Sequence, residues 1–548
     1  MKKLKRPYLS LLLVCLLPTV LFLWTNGTKS DDIYSKIGKN LTVLGDIYKE
    51  VTKNYVDKID PDKFLKAGID GMLNTLDPYS AYIEREDRHQ LQILTHGKYG
   101  GVGMPLNYRN NAVTVVDPPF LGTPAARAGI REGDTIIEVD GASTKNLGLD
   151  ETARRIRGPV GSEVTLTIRR EGELKLLDFT LVREQIKVED VRYSGTIDDG
   201  IGYIRLTRFS KNAESEVADA IRSFKTQNLK GLILDLRSNP GGMLEAAVDI
   251  SDLFLPKDVV IVSTRGRTKS SIREEKSKNT PTYGEGPLVV LVNRISASAS
   301  EIVAGAIQDH DRGLVMGDTT FGKGLVQSVV PLSPSAALKI TTAKYYTPSG
   351  RCIQKRHYST WNDTTTGNDS LAYHTDHGRE VKGGGGITPD VTVPLPRVND
   401  IVWDLRRKSL FFNFAVHYAN THAALDSAFL VDNKILEEFY KYIQEKSFEY
   451  KHPIENRLAA LKTESLEAGY GSSILQDISH LEKSLNRIKE DMLQSSKKDV
   501  QRLLKLELAS KFFGVRRGVE MGLEDDLVVQ KALSFLNDRE LYDSILKN

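Results

Sequence analysis

Between Gly200 and Gly317 short apolar runs alternate with helical ones: "GIGYIRL", "AESEVADAIRSFK", "GLILDLRSN", "MLEAAVDISDLFL", "PLVVLVN", "SEIVAGAIQD" and "GLVMG". The short runs are apolar throughout rather than at every second position, as strands covered on both faces require. Alternation of this kind predicts an α/β layer built on parallel strands.

The flanks have different textures. Residues 29–95 are predicted helical, with apolar spacing through Ile37, Leu41, Leu44 and Ile47. Residues 96–186 carry glycines and short alternating strands such as "EVTLTIRR", a small β-rich unit. The α/β region is placed at 187–396 and contains a polar stretch, 355–385, that ends in "GGGG" and is predicted to be a long surface loop. Residues 397–548 are predicted helical, and Ile474, Ile478, Leu481, Leu485, Ile488 and Met492 mark a bundle helix rather than a coiled coil. At 548 residues the chain is too long for one core.

Bulk charge excludes little and demands nothing: 75 basic and 72 acidic side chains nearly cancel, so no nucleic-acid partner is expected. The N-terminus is more informative. Lys2, Lys3, Lys5 and Arg6 precede an apolar run from Leu9 to Trp24, the layout of an export signal. The run is short for a membrane span and Pro18 interrupts it, which favours a secretory signal in residues 1–28 over a permanent anchor. The expected location is periplasmic or otherwise extracytoplasmic, with membrane anchoring as the alternative. Val14 before Cys15 argues against lipidation, and with the signal removed only Cys352 remains, so no internal disulfide is expected.

The stretch "SASASEIVAGAIQD", Ser296–Asp309, lies where a buried strand turns into a helix. Ser298 and Glu301 fit S-x-x-E, a capping box that needs no chemistry. The same position, exposed at a helix N-terminus after a buried strand, also suits a nucleophile. A nucleophile needs a base, and His310 lies twelve residues along the same helix, roughly 18 Å away. Lys323, between Gly322 and Gly324 in "GDTTFGKGLVQSVV", is the other candidate; it would act only when neutral, which burial against apolar neighbours such as Phe321 would favour. Gly317–Lys323 also imitates the start of a phosphate loop, but Gly324 stands where a Mg²⁺-binding hydroxyl belongs, so no nucleotide site is expected. No H-E-x-x-H occurs, which disfavours a zinc protease. In "LDLRSNPGG", Gly241 and Gly242 are either oxyanion donors or simply a tight strand-to-helix turn.

Taken together, "LDPYSAYI", "GVGM", "PAARAGIREGDTIIEVDG", "DLRSNPGG", "SASASEIVAGAIQD", "TFGKGLVQ", "TTAKYYTPSGRCIQ" and "GITPDV" resemble, in order, the C-terminal processing, or tail-specific, serine peptidases. The match runs from about Tyr34 to Asp390. The resemblance implies a multi-domain α/β plus α+β protein: a PDZ domain before a crotonase- or ClpP-like α/β core, with helical N- and C-terminal regions. It implies Ser298 as nucleophile, Lys323 as base and Gln327 as the residue that orients the lysine; because four residues of extended strand span ~13 Å, a bend near Lys323 is expected. The oxyanion donors would be amides of Gly241 or Gly242 and of Ala299. "GVGM", Gly101, Val102, Gly103 and Met104, would hold a peptide's terminal carboxylate while the peptide adds as a strand. Arg157 would report occupancy to the core through an ion pair, and Asp309 would be structural.

The expected activity is an exported endopeptidase that captures C-terminal tails of unstructured proteins and hydrolyses peptide bonds, with no metal or cofactor. The helical ends are candidate surfaces for a homo-oligomer or an adaptor. Two rivals are a PDZ scaffold on a degenerate core and crotonase-type acyl-CoA chemistry, the latter disfavoured by the signal segment and the PDZ unit.

Overall fold

The computed structural model describes residues 33–84, 97–109, 111–198, 200–333, 336–355, 372–470 and 472–547. The export signal, with Cys15, and most of the 355–385 stretch lie outside these residues. Among the described residues no helix is long and apolar enough to cross a membrane. The chain divides into two compact units, residues 1–82 with 329–340, and residues 83–328 with 341–548.

The first unit holds a helix over 33–54 and a second at Pro61–Leu73. Asp60 caps the second by accepting the amides of Asp62 and Lys63, and Pro61 occupies the first turn, where a missing N–H costs nothing. Tyr48 stacks on Phe64 at 5.7 Å between ring centres. The stripe through Ile37, Leu41, Leu44 and Ile47 is exposed.

In the second unit, the β-rich region forms an antiparallel sheet of Leu106–Arg109, Ala112–Val115, Thr135–Val139, Glu163–Arg169 and Leu177–Val182, with the helix Leu149–Ile156 beside it. Alternation in "EVTLTIR" is realised: Val164, Leu166 and Ile168 are buried with Val113, Val115 and Ile136. Glu184–Lys187 pairs back onto Lys98–Gly101, so the domain's exit lies against its entry.

The α/β region builds a six-stranded sheet in the order Val191–Ile197, Ile201–Leu206, Gly231–Asp235, Leu288–Val292, Leu314–Gly317 and Val391–Thr392. The first pairing is antiparallel and the other four are parallel. Leu232, Leu234, Val290 and Val292 face the helices Ala213–Lys225, Leu244–Asp252 and Ala299–Asp309. Ile233, Val289, Leu291 and Met316 face the other way, against Val529, Ala532 and Leu536. The last two helices, Leu527–Leu536 and Arg539–Lys547, therefore cover the second face of this sheet, although their sequence position groups them with the helical region 397–548. Tyr542 fastens them: its hydroxyl accepts the Leu288 amide at 3.0 Å and donates to the Leu288 carbonyl at 2.9 Å.

Helices from Asp400 to Phe513 form a separate aromatic-rich core around Phe411, Phe414, Phe439 and Leu504. This bundle packs on the β-rich domain: Arg109 lies 4.4 Å over the Phe412 ring, and Lys511 meets Glu132 at 3.5 Å.

The polar stretch 355–385 differs from a surface loop in its described part. Ala372–His374 and Glu380–Lys382 form a hairpin, and Arg379 between them is buried, 2.6 Å from both Asp311 and Asp390. Polarity here marks paired charge, not exposure.

Candidate active site

Ser298 ends the turn that follows the fully buried strand Leu288–Val292 and begins the helix Ala299–Asp309. Its backbone, φ 56° and ψ −113°, lies in a region that costs a serine roughly 1–3 kcal/mol, so surrounding contacts must enforce it. The outer serines supply two of these. Ser296 donates to the Leu236 carbonyl at 2.8 Å and Ser300 to the Asn239 carbonyl at 2.9 Å, both fully buried, fastening the turn to "LRSNPGG". Of the three serines only Ser298 keeps partial exposure.

The Ser298–Glu301 capping pair is present, but the Ser298 hydroxyl makes no regular cap hydrogen bond; the Glu301 amide donates to the Ser298 carbonyl at 2.8 Å. Glu301 does more than cap. Its fully buried carboxylate accepts the Ser298 amide (2.7 Å) and the Lys323 amide (3.0 Å) on Oε2, and the Gly322 amide (2.7 Å) and Thr320 hydroxyl (2.6 Å) on Oε1. Burial pushes this carboxyl's pKa up against those four bonds, which pull it down. Lys323 lies in an irregular segment after Gly322 (φ 85°), and the strand Leu325–Ser333 starts two residues later, so the expected bend is there. Phe321, a candidate dry wall for the lysine, is instead largely exposed. Tyr345 was not singled out in the sequence, although "TTAKYYTPSG" contains it. Its ring is buried, and its hydroxyl donates to the Ser298 carbonyl (3.1 Å) and to the Lys323 carbonyl. Gln327 stands on the strand, its side-chain amide donating to Thr341 at 3.3 Å.

The glycine turn lies directly on the serine turn. A Cβ on Gly241 would fall 2.7 Å from the Ala297 carbonyl and 2.9 Å from the Ala299 amide, and its φ of 99° also disfavours a side chain. Buried Asn239 shapes the turn, donating to the Leu206 carbonyl and accepting the Gly241 amide at 2.9 Å. The Gly241 amide is thus already engaged. Ala299 is the first helical residue, and its amide points out of the helix end, where no helix carbonyl can take it.

At the far end of this helix Asp309 is buried with Arg351 at 2.6 Å and accepts the Ser349 amide, a structural pairing. His310 bonds Asp376 and the Val260 carbonyl there, remote from Ser298 in the helix.

In the β-rich domain, Val102, Gly103 and Met104 line a cleft of about 140 Å³ together with Ile156 and Arg157, and Gly101 ends the strand just before it. Gly103 has φ 79°, and a Cβ there would collide with Thr123 at 2.4 Å. Arg157 stacks over Tyr99 at 5.1 Å; among the described residues it makes no ion pair with the α/β core.

Comparison with known proteins agrees with this architecture. The model of peptidase family S41 matches residues 200–360, a PDZ domain model matches 113–170, and models of the "Probable PDZ-protease, C-terminal helical domain" and the "Activating protease CtpB N-terminal domain" match 401–536 and 25–87. A carboxy-terminal-processing protease of Bartonella bacilliformis is 41% identical over 364 residues, covering 65% of this chain and 76% of that one. A carboxyl-terminal-processing protease of Synechocystis is 41% identical over 295 residues, covering 52% and 68%. Among solved structures, the photosystem II D1 C-terminal processing protease aligns at 27% identity over 63% of this chain and 91% of that chain, with a TM-score of 0.35. The chain belongs to the carboxy-terminal processing serine proteases of peptidase family S41.

Proposed function

We propose that the protein hydrolyses peptide bonds with a Ser298–Lys323 dyad and selects substrates by capturing their C-terminal tails in the PDZ cleft. The observation that carries the dyad is the shared oxygen of Glu301. Two bonds of 2.7 and 3.0 Å to one atom hold the Ser298 and Lys323 amides within ~6 Å of each other, although 25 positions separate the residues.

Neutral Lys323 takes the Ser298 hydroxyl proton as Oγ attacks the substrate carbonyl. The amides of Gly242 and Ala299 stabilise the tetrahedral oxyanion, while Gly241 keeps the turn closed against the serine. The intermediate collapses, the leaving amine takes the proton from Lys323, and a water deprotonated by the same lysine then releases the acyl group. Gln327 orients the lysine.

A peptide tail entering beside Gly101–Met104 would add as a strand and place its carboxylate at the loop's amides, with Arg157 at the edge of the cleft. The charged and apolar N-terminal run supports an extracytoplasmic location, and the exposed stripe through Ile37, Leu41 and Leu44 supports an assembly role for the N-terminal unit, in a homo-oligomer or with an adaptor.

The test is incubation of the full chain with an unstructured protein beside Ser298→Ala and Lys323→Ala, with products read by mass spectrometry. Cleavage by the parent and by neither variant supports the dyad; cleavage by either variant at the parent rate refutes it. Binding of free-tailed peptide without any cleavage would favour the scaffold reading. Equal rates on free and amidated C-termini would exclude tail capture.

A further inference from the structure

We propose that Glu301 and Tyr345 form a two-sided clamp on the backbone of the dyad and are positioning residues for its chemistry. The proposal rests on the Ser298–Lys323 reading above and adds to it what holds the two residues in register.

Each clamp residue makes the same pair of contacts from opposite polarity. Glu301 Oε2 accepts the amides of Ser298 and Lys323 at 2.7 and 3.0 Å. The Tyr345 hydroxyl donates to the carbonyls of the same two residues, Ser298 (3.1 Å) and Lys323. Two side chains thus bond the amide and the carbonyl of both residues, and the Ser298 carbonyl also accepts the helix amides of Glu301 and Ile302 at 2.8 and 3.0 Å. Both clamps are buried, Glu301 completely and Tyr345 to 1% exposure, so water cannot replace the bonds when they break.

The chemistry of each side chain suits its task. A carboxylate can accept on both oxygens at once, and Glu301 does so from four donors, which also ties Thr320 and Gly322, the approach to the lysine, to the start of the serine helix. A glutamine of the same shape would turn an NH₂ against two of those donors. The phenol carries one proton, shared between two carbonyls, and phenylalanine removes that proton while leaving the ring. Tyr345 is itself anchored, its amide donating to the Gly324 carbonyl at 3.0 Å, so the residue after the lysine is fastened to the same strand.

Such a clamp has a reason to exist. Ser298 occupies a backbone conformation that persists only when its surroundings over-determine it, and proton transfer from Oγ to Nζ is sensitive to small displacements. A shift of ~1 Å between reacting groups costs about 100-fold in rate.

The experiment uses the full chain with Tyr345→Phe, Glu301→Gln and the double variant, beside Ser298→Ala and Lys323→Ala. It reads kcat and KM on a peptide with a free C-terminus, the rate of Ser298 labelling by a fluorophosphonate, and the melting temperature. Tyr345→Phe should lower kcat and the labelling rate together by about 10–100-fold, with KM unchanged and melting still cooperative. The double variant should lose less than the product of the two single losses, because both act on the same pair. If Tyr345→Phe keeps kcat and labelling within about twofold of the parent, or loses them only in proportion to its unfolded fraction, the clamp is overturned whatever Glu301→Gln does. Parent-rate cleavage by Ser298→Ala or Lys323→Ala would instead remove the dyad itself.

Discussion

Glu132 makes the junction between the PDZ domain and the helical bundle sensitive to pH. Its carboxylate is almost fully buried, 3.5 Å from the Lys511 ammonium, which also donates to the Glu132 carbonyl at 3.1 Å. Burial raises its pKa from 4.5 to about 7; Lys511 opposes the shift, and the carboxylates of Asp117 and Glu507 reinforce it. A folded-state pKa above the unfolded one means that the docked form prefers neutral Glu132. The associated stability is present below about pH 4.5 and is lost as pH rises through about 7. The rise from 4.5 to about 7 corresponds to about 3 kcal/mol by pH 8, of which about 2 kcal/mol is lost above pH 5.5. Burial also raises Asp117 and Glu507, so the wild-type trend contains contributions of the same sign, and the comparison must isolate Glu132. Glu132→Gln, a neutral mimic of the protonated form, does this. On a Ser298→Ala background, to prevent autolysis, guanidinium unfolding of both proteins should show the variant more stable at pH 8, with the advantage shrinking by about 2 kcal/mol at pH 5.5. A difference independent of pH, or a variant less stable at pH 8, would mean that the Lys511 ion pair outweighs desolvation and would refute the argument.

Three other substitutions test separate parts of the structure. Gly241→Ala places a methyl 2.7 Å from the Ala297 carbonyl and 2.9 Å from the Ala299 amide; kcat on a tailed peptide should fall at least about 100-fold while peptide binding to the PDZ cleft, measured by fluorescence anisotropy, is retained. Arg351→Met leaves the carboxylate of Asp309 buried without its guanidinium, and a loss of about 3–5 kcal/mol should appear in chemical unfolding; restoration by adding Asp309→Leu would identify the uncompensated charge as the cause. Gly103→Val drives a side chain into Thr123 from a backbone at φ 79°, and anisotropy should show loss of free-tailed peptide binding with fluorophosphonate labelling of Ser298 unchanged.

What the sequence made legible were features encoded by neighbours in the chain. Parallel strands buried on both faces declare themselves as unbroken apolar runs, so Gly231–Asp235 and Leu288–Val292 lie where the runs are. The alternation of Val164, Leu166 and Ile168 was equally local. Hidden features were those whose partners lie far along the chain. Arg379 sits in a polar stretch that composition assigns to solvent, yet its charge is matched by Asp311 and Asp390. Leu527–Leu536 has helical periodicity, but nothing local says that its apolar side covers a sheet whose strands lie between Val191 and Thr392. Asp526 caps that helix and also pairs with Arg237 at 2.8 Å, just before the Asn239–Gly242 turn. Tyr345 was contained in a quoted motif, but its partners, the carbonyls of Ser298 and Lys323, lie 47 and 22 positions away.

The serine stretch illustrates why a local reading was incomplete rather than mistaken. A capping box has two halves, and here they differ in strength. The glutamate half is made, because the Ser298 amide needs an acceptor and Glu301 supplies it. The serine half, in which the hydroxyl would take a helix amide, is not made as a regular bond. An αR residue beyond a β-region cap would aim the hydroxyl at the helix; Ser298 at φ 56° and ψ −113° has neither geometry. The Ser298 amide is thus held firmly by Glu301, whereas its hydroxyl keeps the cap position without a regular hydrogen bond to the helix. The two flanking serines follow the opposite course, each buried and bonded to a carbonyl of the neighbouring turn. One pattern of three serines therefore contains two buried staples and one partly exposed residue, and the partners of the two staples, Leu236 and Asn239, lie outside the stretch itself.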